Sequence, residues 1–111
     1  MSTKESTIEY ILDQLSKVGD VSARKMFGEY AIYLSGTVVA LVCDDELYVK
    51  PTVAGRKLLR EVHEAPPYPG AKNYFHIPAD EIEDREYILE LMQATAKELL
   101  TPKKKNKKPS G

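Results

Sequence analysis

The sequence has one cysteine, two phenylalanines, no tryptophan and no long apolar run. A single cysteine, Cys43, excludes an internal disulfide, and a chain without disulfide staples suits a reducing compartment. No stretch approaches the ~18 apolar residues needed to cross a bilayer. The opening MSTKESTIEY lacks the apolar segment of a secretory signal. These absences lead to the expectation of a cytoplasmic chain with no membrane role. Catalytic signatures are missing too. There is no phosphate-cradling Walker loop, no Gly-x-Gly-x-x-Gly, no Gly-x-Ser-x-Gly, no Cys-x-x-Cys and no His-Glu-x-x-His. The sequence therefore gives no reason to expect an enzyme, a cofactor or a metal.

Charge is abundant but unevenly placed. The net charge of −1 hides an acidic body, since residues 1–100 hold 11 Lys/Arg against 17 Asp/Glu, a balance of −6. Lys103, Lys104, Lys105, Lys107 and Lys108 follow with no acid among them. With 111 residues in all, the expected organisation is one domain over 1–102 and a disordered lysine-rich tail over 103–111. The body offers no broad positive surface for phosphates. The tail lysines are candidate nucleic-acid contacts of a non-specific, salt-sensitive kind, against a plain solubilising role. No aromatic residue is interleaved among them for base stacking.

Periodicity fixes the order of elements. Ser6 and Glu9 have the spacing of a capping box, and Ile8, Ile11, Leu12, Leu15 and Val18 follow at helical intervals until Gly19. Strands are expected over Val21–Phe27, Tyr30–Leu34, Val38–Cys43 and Glu46–Lys50, separated by Gly28, Ser35-Gly36 and Asp44-Asp45. Connections this short favour antiparallel neighbours. Val38–Cys43 is almost wholly apolar and is expected to be covered on both faces. Leu47 and Val49 alternate with Glu46, Tyr48 and Lys50, so Tyr48 is expected to point away from the covered face. Pro51 ends this run, and Thr52 can cap a second helix over Val53–Ala65. A stiff Pro/Gly loop leads to a short strand, Tyr74–Ile77, and Asp84 begins a last helix to Leu100. The order α-β-β-β-β-α-β-α argues an α+β fold, an antiparallel sheet with flanking helices.

The most distinctive segment is Arg24-Lys25-Met26-Phe27-Gly28-Glu29-Tyr30-Ala31-Ile32-Tyr33. It resembles the Arg-Lys-Met-Phe-Gly-Gly-Tyr-Gly-Ile-Tyr signature of the N-terminal domain of the TfoX/Sxy competence regulators. The similarity continues through Gly36, Leu41, Asp44-Asp45 and Leu47-Tyr48-Val49-Lys50, then Tyr68, Tyr74, Ile77-Pro78 and Asp84. It covers about residues 7–100. Glu29 and Ala31 depart from it, standing where the family often has glycine. The resemblance implies a stand-alone N-terminal module without the regulators' C-terminal helical domain. It also implies a link to transcription and competence control through contacts with another regulator.

Arg24, Lys25, Phe27, Tyr30 and Lys50 are the candidate partner-binding residues, because arginine and aromatic side chains are common anchors of protein contacts. Their alternative is ordinary packing around a bend at Gly28. The tyrosines Tyr30, Tyr33, Tyr48, Tyr68 and Tyr74 are numerous for this length and suit half-buried sites. Some are expected to gather on one sheet face, and with the unpaired edges of an open sheet they suggest a homodimer. Cys43 reads as a small core residue, and Asp44, Asp45 and Glu46 as a turn. His63 and His76 lie outside any ligand motif. They would matter only to a rival reading, a small-molecule pocket or enzyme site between the sheet and the second helix.

Overall fold

The structure, a computed structural model, describes residues 3–100. Its first helix, α1 (Glu5–Gln14), buries Ile8 and Ile11, and Leu15 is buried just beyond its end. The Ser6–Glu9 capping box is not used. The helix begins two residues earlier, with Lys4 at the N-cap and no side-chain cap bond of its own. The cap comes from elsewhere: Asp45 Oδ1 accepts from the Lys4 N–H at 2.9 Å and from the Thr7 hydroxyl at 2.8 Å. A 3₁₀ turn, Ser16–Val18, follows, and Gly19 ends it at φ 94°.

Four strands form a meander: β1 (Val21–Met26), β2 (Glu29–Leu34), β3 (Thr37–Cys43) and β4 (Glu46–Val49). Each connection is two residues long, and both residues have positive φ. The values are 53° and 83° at Phe27-Gly28, 52° and 83° at Ser35-Gly36, and 55° and 63° at Asp44-Asp45. Positive φ at both positions defines the type I′ turn, whose twist matches that of paired strands. Between β2 and β3 the register shifts at Ile32/Tyr33, leaving Val39 as a bulge.

The second helix is shorter than expected. α2 (Val53–Leu58) stops where Leu59 turns extended, and residues 64–65 form a strand, β5 (Glu64–Ala65), instead of a last helical turn. Leu58 and Leu59 pack against the core, but Val62 faces solvent. Pairing with β6 (Tyr74–Ile77) decides the matter, because β5 and the His63 carbonyl satisfy main-chain groups on its far side. Thr52 does cap α2, its hydroxyl accepting from the Gly55 N–H at 2.9 Å. The Glu98 carboxylate accepts from the Val53 and Ala54 N–H groups at 3.1 and 2.9 Å. A short helix, α3 (Ala79–Ile82), precedes α4 (Arg85–Leu100). Asp84 caps α4 through the Tyr87 N–H, at 3.3 Å.

The result is a six-stranded antiparallel sheet in the order β1-β2-β3-β4-β6-β5, with helices before and after it, an α+β fold. Register places Tyr30, Ile32, Ala40, Val42, Leu47, Val49, Phe75 and Ile77 on the face that builds the core. α1 contributes Ile8 and Ile11 to this core, and α4 contributes Ile88, Leu91, Met92 and Ala96. The Gln14 amide locks the α3–α4 corner by donating to the Ile82 carbonyl at 2.8 Å, while its oxygen accepts from Arg85 at 3.0 Å. Among the described residues, no helix of this core packs on the other sheet face. β3 is central, but it is not covered on both sides as its apolar run suggested: Leu41 on the open face is only half-buried.

Candidate functional site

The β1–β2 hairpin carries the most unusual residue of the fold. Phe27 occupies the first turn position at φ 53° and is fully exposed, with a relative accessibility of 104%. Left-handed backbone is disfavoured by roughly 1–2 kcal/mol for residues with a Cβ, and this position normally takes Asn, Asp or Gly. The ring gains no burial in return. Met26 beside it is 43% exposed, so two large apolar side chains share one tip.

The base of the hairpin is firmly held. The Thr3 N–H donates to the Gly28 carbonyl at 3.1 Å, and the Thr3 hydroxyl donates to Glu29 Oε1 at 2.6 Å. The same carboxylate oxygen accepts from the Asp44 N–H at 3.0 Å. Glu29, one of the two departures from the family signature, thus ties the tip to the chain start and to the β3–β4 turn. Ala31, the other departure, is fully buried between Arg24 and Leu41 of the neighbouring strands.

The five sequence-predicted residues do not form one patch. Arg24 lies on the open sheet face, its guanidinium 5.8 Å from the Tyr33 ring centre. Lys25 is exposed on the opposite side of β1, across from Tyr30. Tyr30 itself is only 9% exposed and belongs to the core, so it is placed to support the hairpin and not to meet a partner. Lys50 is half-buried just past β4, and its N–H donates to the Val39 carbonyl at 2.9 Å. Alternation from Tyr48 puts its side chain on the open face, three strands from Arg24. The predicted tail residues Lys103, Lys104, Lys105, Lys107 and Lys108 lie outside the described residues.

Tyrosines do gather on the open face. Tyr33, Tyr48 and Tyr74 fall there with Leu41 and His76, whereas Tyr68 stands in the loop before β6. The Tyr48 and His76 rings are 5.3 Å apart and tilted by 49°. His76 Nε2 lies 2.6 Å from Glu46 Oε1. Burial first, and the Glu46 carboxylate next, push the Tyr48 phenol above its ordinary range. Burial likewise raises Tyr74. Cys43 is buried at the edge of this face, and burial, with Glu29 and Asp44 adding to it, pushes its thiol up to about 11. It is a neutral packing group at physiological pH.

The histidines stay apart chemically. His63 Nε2 sits 3.1 Å from Glu61 in an exposed loop, while His76 is engaged by Glu46. Among the described residues no three of His, Cys, Asp and Glu converge as metal ligands. A cleft of about 320 Å³ does open between α2 and the sheet, lined by Thr52, Arg56, Glu64, Phe75 and Glu98 among others. Neither histidine reaches it. Its Arg56 and Glu64 pair with each other at 2.9 Å, and its Glu98 is bound to α2.

Sequence reasoning missed Met26 as part of the tip and the joining of Arg24 to the tyrosine face. It also missed a cluster in which Arg60 bonds to Asp84 and stacks 4.1 Å from the Tyr87 ring. Residues 24 to 27 positions apart meet there, and no local pattern announces them.

Fold and surface together define a small α+β domain with one helix-covered sheet face, one open face and an apolar hairpin tip. Residues 13–99 match the TfoX N-terminal domain, and the chain belongs to that family. It is also 36% identical over 108 residues to an uncharacterized 12.7 kDa protein in the trpE 5′ region of Spirochaeta aurantia, a match covering 97% of this chain and 93% of that protein. Among the described residues no helix is long and apolar enough to cross a membrane.

Proposed function

We propose that this TfoX-family domain is a non-catalytic regulatory module of the cytoplasm that acts by binding another protein through its β1–β2 hairpin. The observation that carries this reading is Phe27, a fully exposed aromatic held in left-handed backbone on an otherwise well-tied turn. Local strain without a local packing gain is the mark of a residue kept for a contact. Arg24, Lys25 and Met26 flank it, giving the aromatic, arginine and methionine chemistry that interfaces favour. The family's association with transcription and competence control makes a transcription regulator the partner class to look for first.

The test uses the Phe27→Asn chain beside the unaltered one. Asparagine suits the turn, so the fold is kept while the anchor is removed. Loss of a discrete captured protein from nuclease-treated extract, with folding intact, is the expected result. Capture of the same protein by both chains contradicts the reading.

A homodimer seamed across the open face is a second reading, favoured by the gathering of Tyr33, Tyr48, Tyr74 and Leu41 on it. Sedimentation at high concentration tests it. A dimer abolished by Tyr48→Glu is expected, and a monomer throughout removes it.

A further inference from the structure

The sheet has two edges, and they are built differently. β5 is two residues long and runs straight into Pro66-Pro67, so it offers little to pair with. β1 is six residues long and contains no proline, glycine or bulge. Its outward main-chain groups can be identified. The Asp20 carbonyl accepts from the Ser35 N–H at 2.8 Å, just before the first paired residues of the hairpin. Antiparallel pairs alternate between those that exchange main-chain bonds and those that do not. Ser22, Arg24 and Met26 therefore bond to β2, and Ala23 and Lys25 turn their N–H and C=O groups outward. Among the described residues nothing bonds to them. The Val21 N–H is already used by the Gly19 carbonyl, at 2.9 Å.

We propose that this outer edge of β1 receives an extended, acid-bearing segment of another protein as an added strand. The inference rests on the reading of the hairpin as a contact surface and specifies the chemistry of what binds there. Main-chain bonds to Ala23 and Lys25 give such a segment its register, as in other strand additions to sheet edges. On the helix side of β1, Val21 and Ala23 are half-buried against the core and would meet apolar side chains. On the open side, Arg24, which makes no ion pair among the described residues, would meet a carboxylate. Met26 and Phe27 at the end of the strand would close over an apolar residue. The incoming pattern is thus an alternation of apolar and acidic residues.

Charge selects this occupant over a second copy of the chain. Two copies joined along β1 would set two Arg24-Lys25 pairs side by side on one short strand pair, like charges facing one another. A foreign acidic strand instead neutralises the one basic, apolar corner of this edge.

The experiment measures binding of short labelled peptides to the full chain. One alternates valine with glutamate, one alternates valine with lysine, and one is the glutamate peptide N-methylated on alternate residues. Saturable binding of the glutamate peptide is expected, weakened at least about tenfold by lysine, by N-methylation and by Ala23→Pro. The N-methylated peptide makes the result independent of any folding defect in the proline variant. Equal binding of the lysine or N-methylated peptide overturns the proposal, and so does no saturable binding of the glutamate peptide. A self-association abolished by Ala23→Pro would also overturn it and assign the edge to a second copy. A cellular protein lost with Phe27→Asn but held by Ala23→Pro would keep the contact surface and sink the strand pairing alone.

Discussion

The Asp45 carboxylate accepts a hydrogen bond from the Lys4 N–H at 2.9 Å, so the cap of the first helix is supplied by the turn between β3 and β4, 41 residues away in sequence. Asp45 is also the second residue of that turn, at φ 63°. One side chain therefore couples the closing of a hairpin to the starting of a helix.

This coupling predicts acid sensitivity. The Lys4 N–H, and then the Thr7 hydroxyl, hold the Asp45 carboxyl below its ordinary value. Asp84 is lowered in the same way by Arg60 and by the Tyr87 N–H. A depressed folded value means that the stabilisation is fully present above the ordinary carboxylate range and is lost as pH falls through the folded value. The melting temperature should hold steady from neutral pH to about pH 5 and then fall below about pH 4. Asp45→Asn tolerates the turn, and it should flatten part of that fall. An unchanged pH profile in this variant contradicts the role given to Asp45.

A glycine inside a helix is ordinarily improved by alanine, by about 1 kcal/mol. Gly55 should behave the opposite way. A Cβ there would lie 2.7 Å from Thr52 Oγ1 and 3.2 Å from Thr95 Oγ1, both on buried side chains. Gly55→Ala is expected to destabilise by roughly 1–3 kcal/mol in urea unfolding, the usual cost of overpacking. Thr95→Ala in the same chain should recover part of the loss, since it clears one of the two contacts.

Cys43 should be slow to react. With its thiol pushed up to about 11, it holds on the order of a hundredfold less thiolate at pH 8 than an ordinary cysteine. Reaction with a thiol-specific disulfide reagent should be slow in native buffer and fast in denaturant. Rapid native labelling would contradict the packing described.

Much of this architecture was legible in the sequence, and the failures have physical causes. The three I′ turns, the alternation around Tyr48 and the stripe of α4 are local patterns, and they produced the strands and helices expected of them. Tyr30 was misplaced as a contact residue because sequence marks an aromatic near an exposed turn without saying which face it takes. The β2–β3 register decides that, and it turns Tyr30 inward opposite Val42. The overlong second helix arose because Leu58, Leu59 and Val62 fit a helical spacing, whereas the unpaired side of β6 drew residues 64–65 into the sheet. The Ser6–Glu9 box lost to Asp45 because a distant carboxylate already filled the cap. For the surface, the family segment singles out the residues of the β1–β2 hairpin. What no spacing reveals is the left-handed backbone and full exposure of Phe27.

That residue also decides the central claim most directly. The measurement is a paired one on Phe27→Asn: thermal unfolding, and capture of a protein partner from nuclease-treated extract. The account predicts an unfolding free energy raised by up to roughly 1 kcal/mol, because asparagine tolerates left-handed backbone better and no packing is lost, together with loss of the partner. A variant that is no more stable and still captures the same protein would show that Phe27 is neither strained nor an anchor, and the account would be wrong at its core.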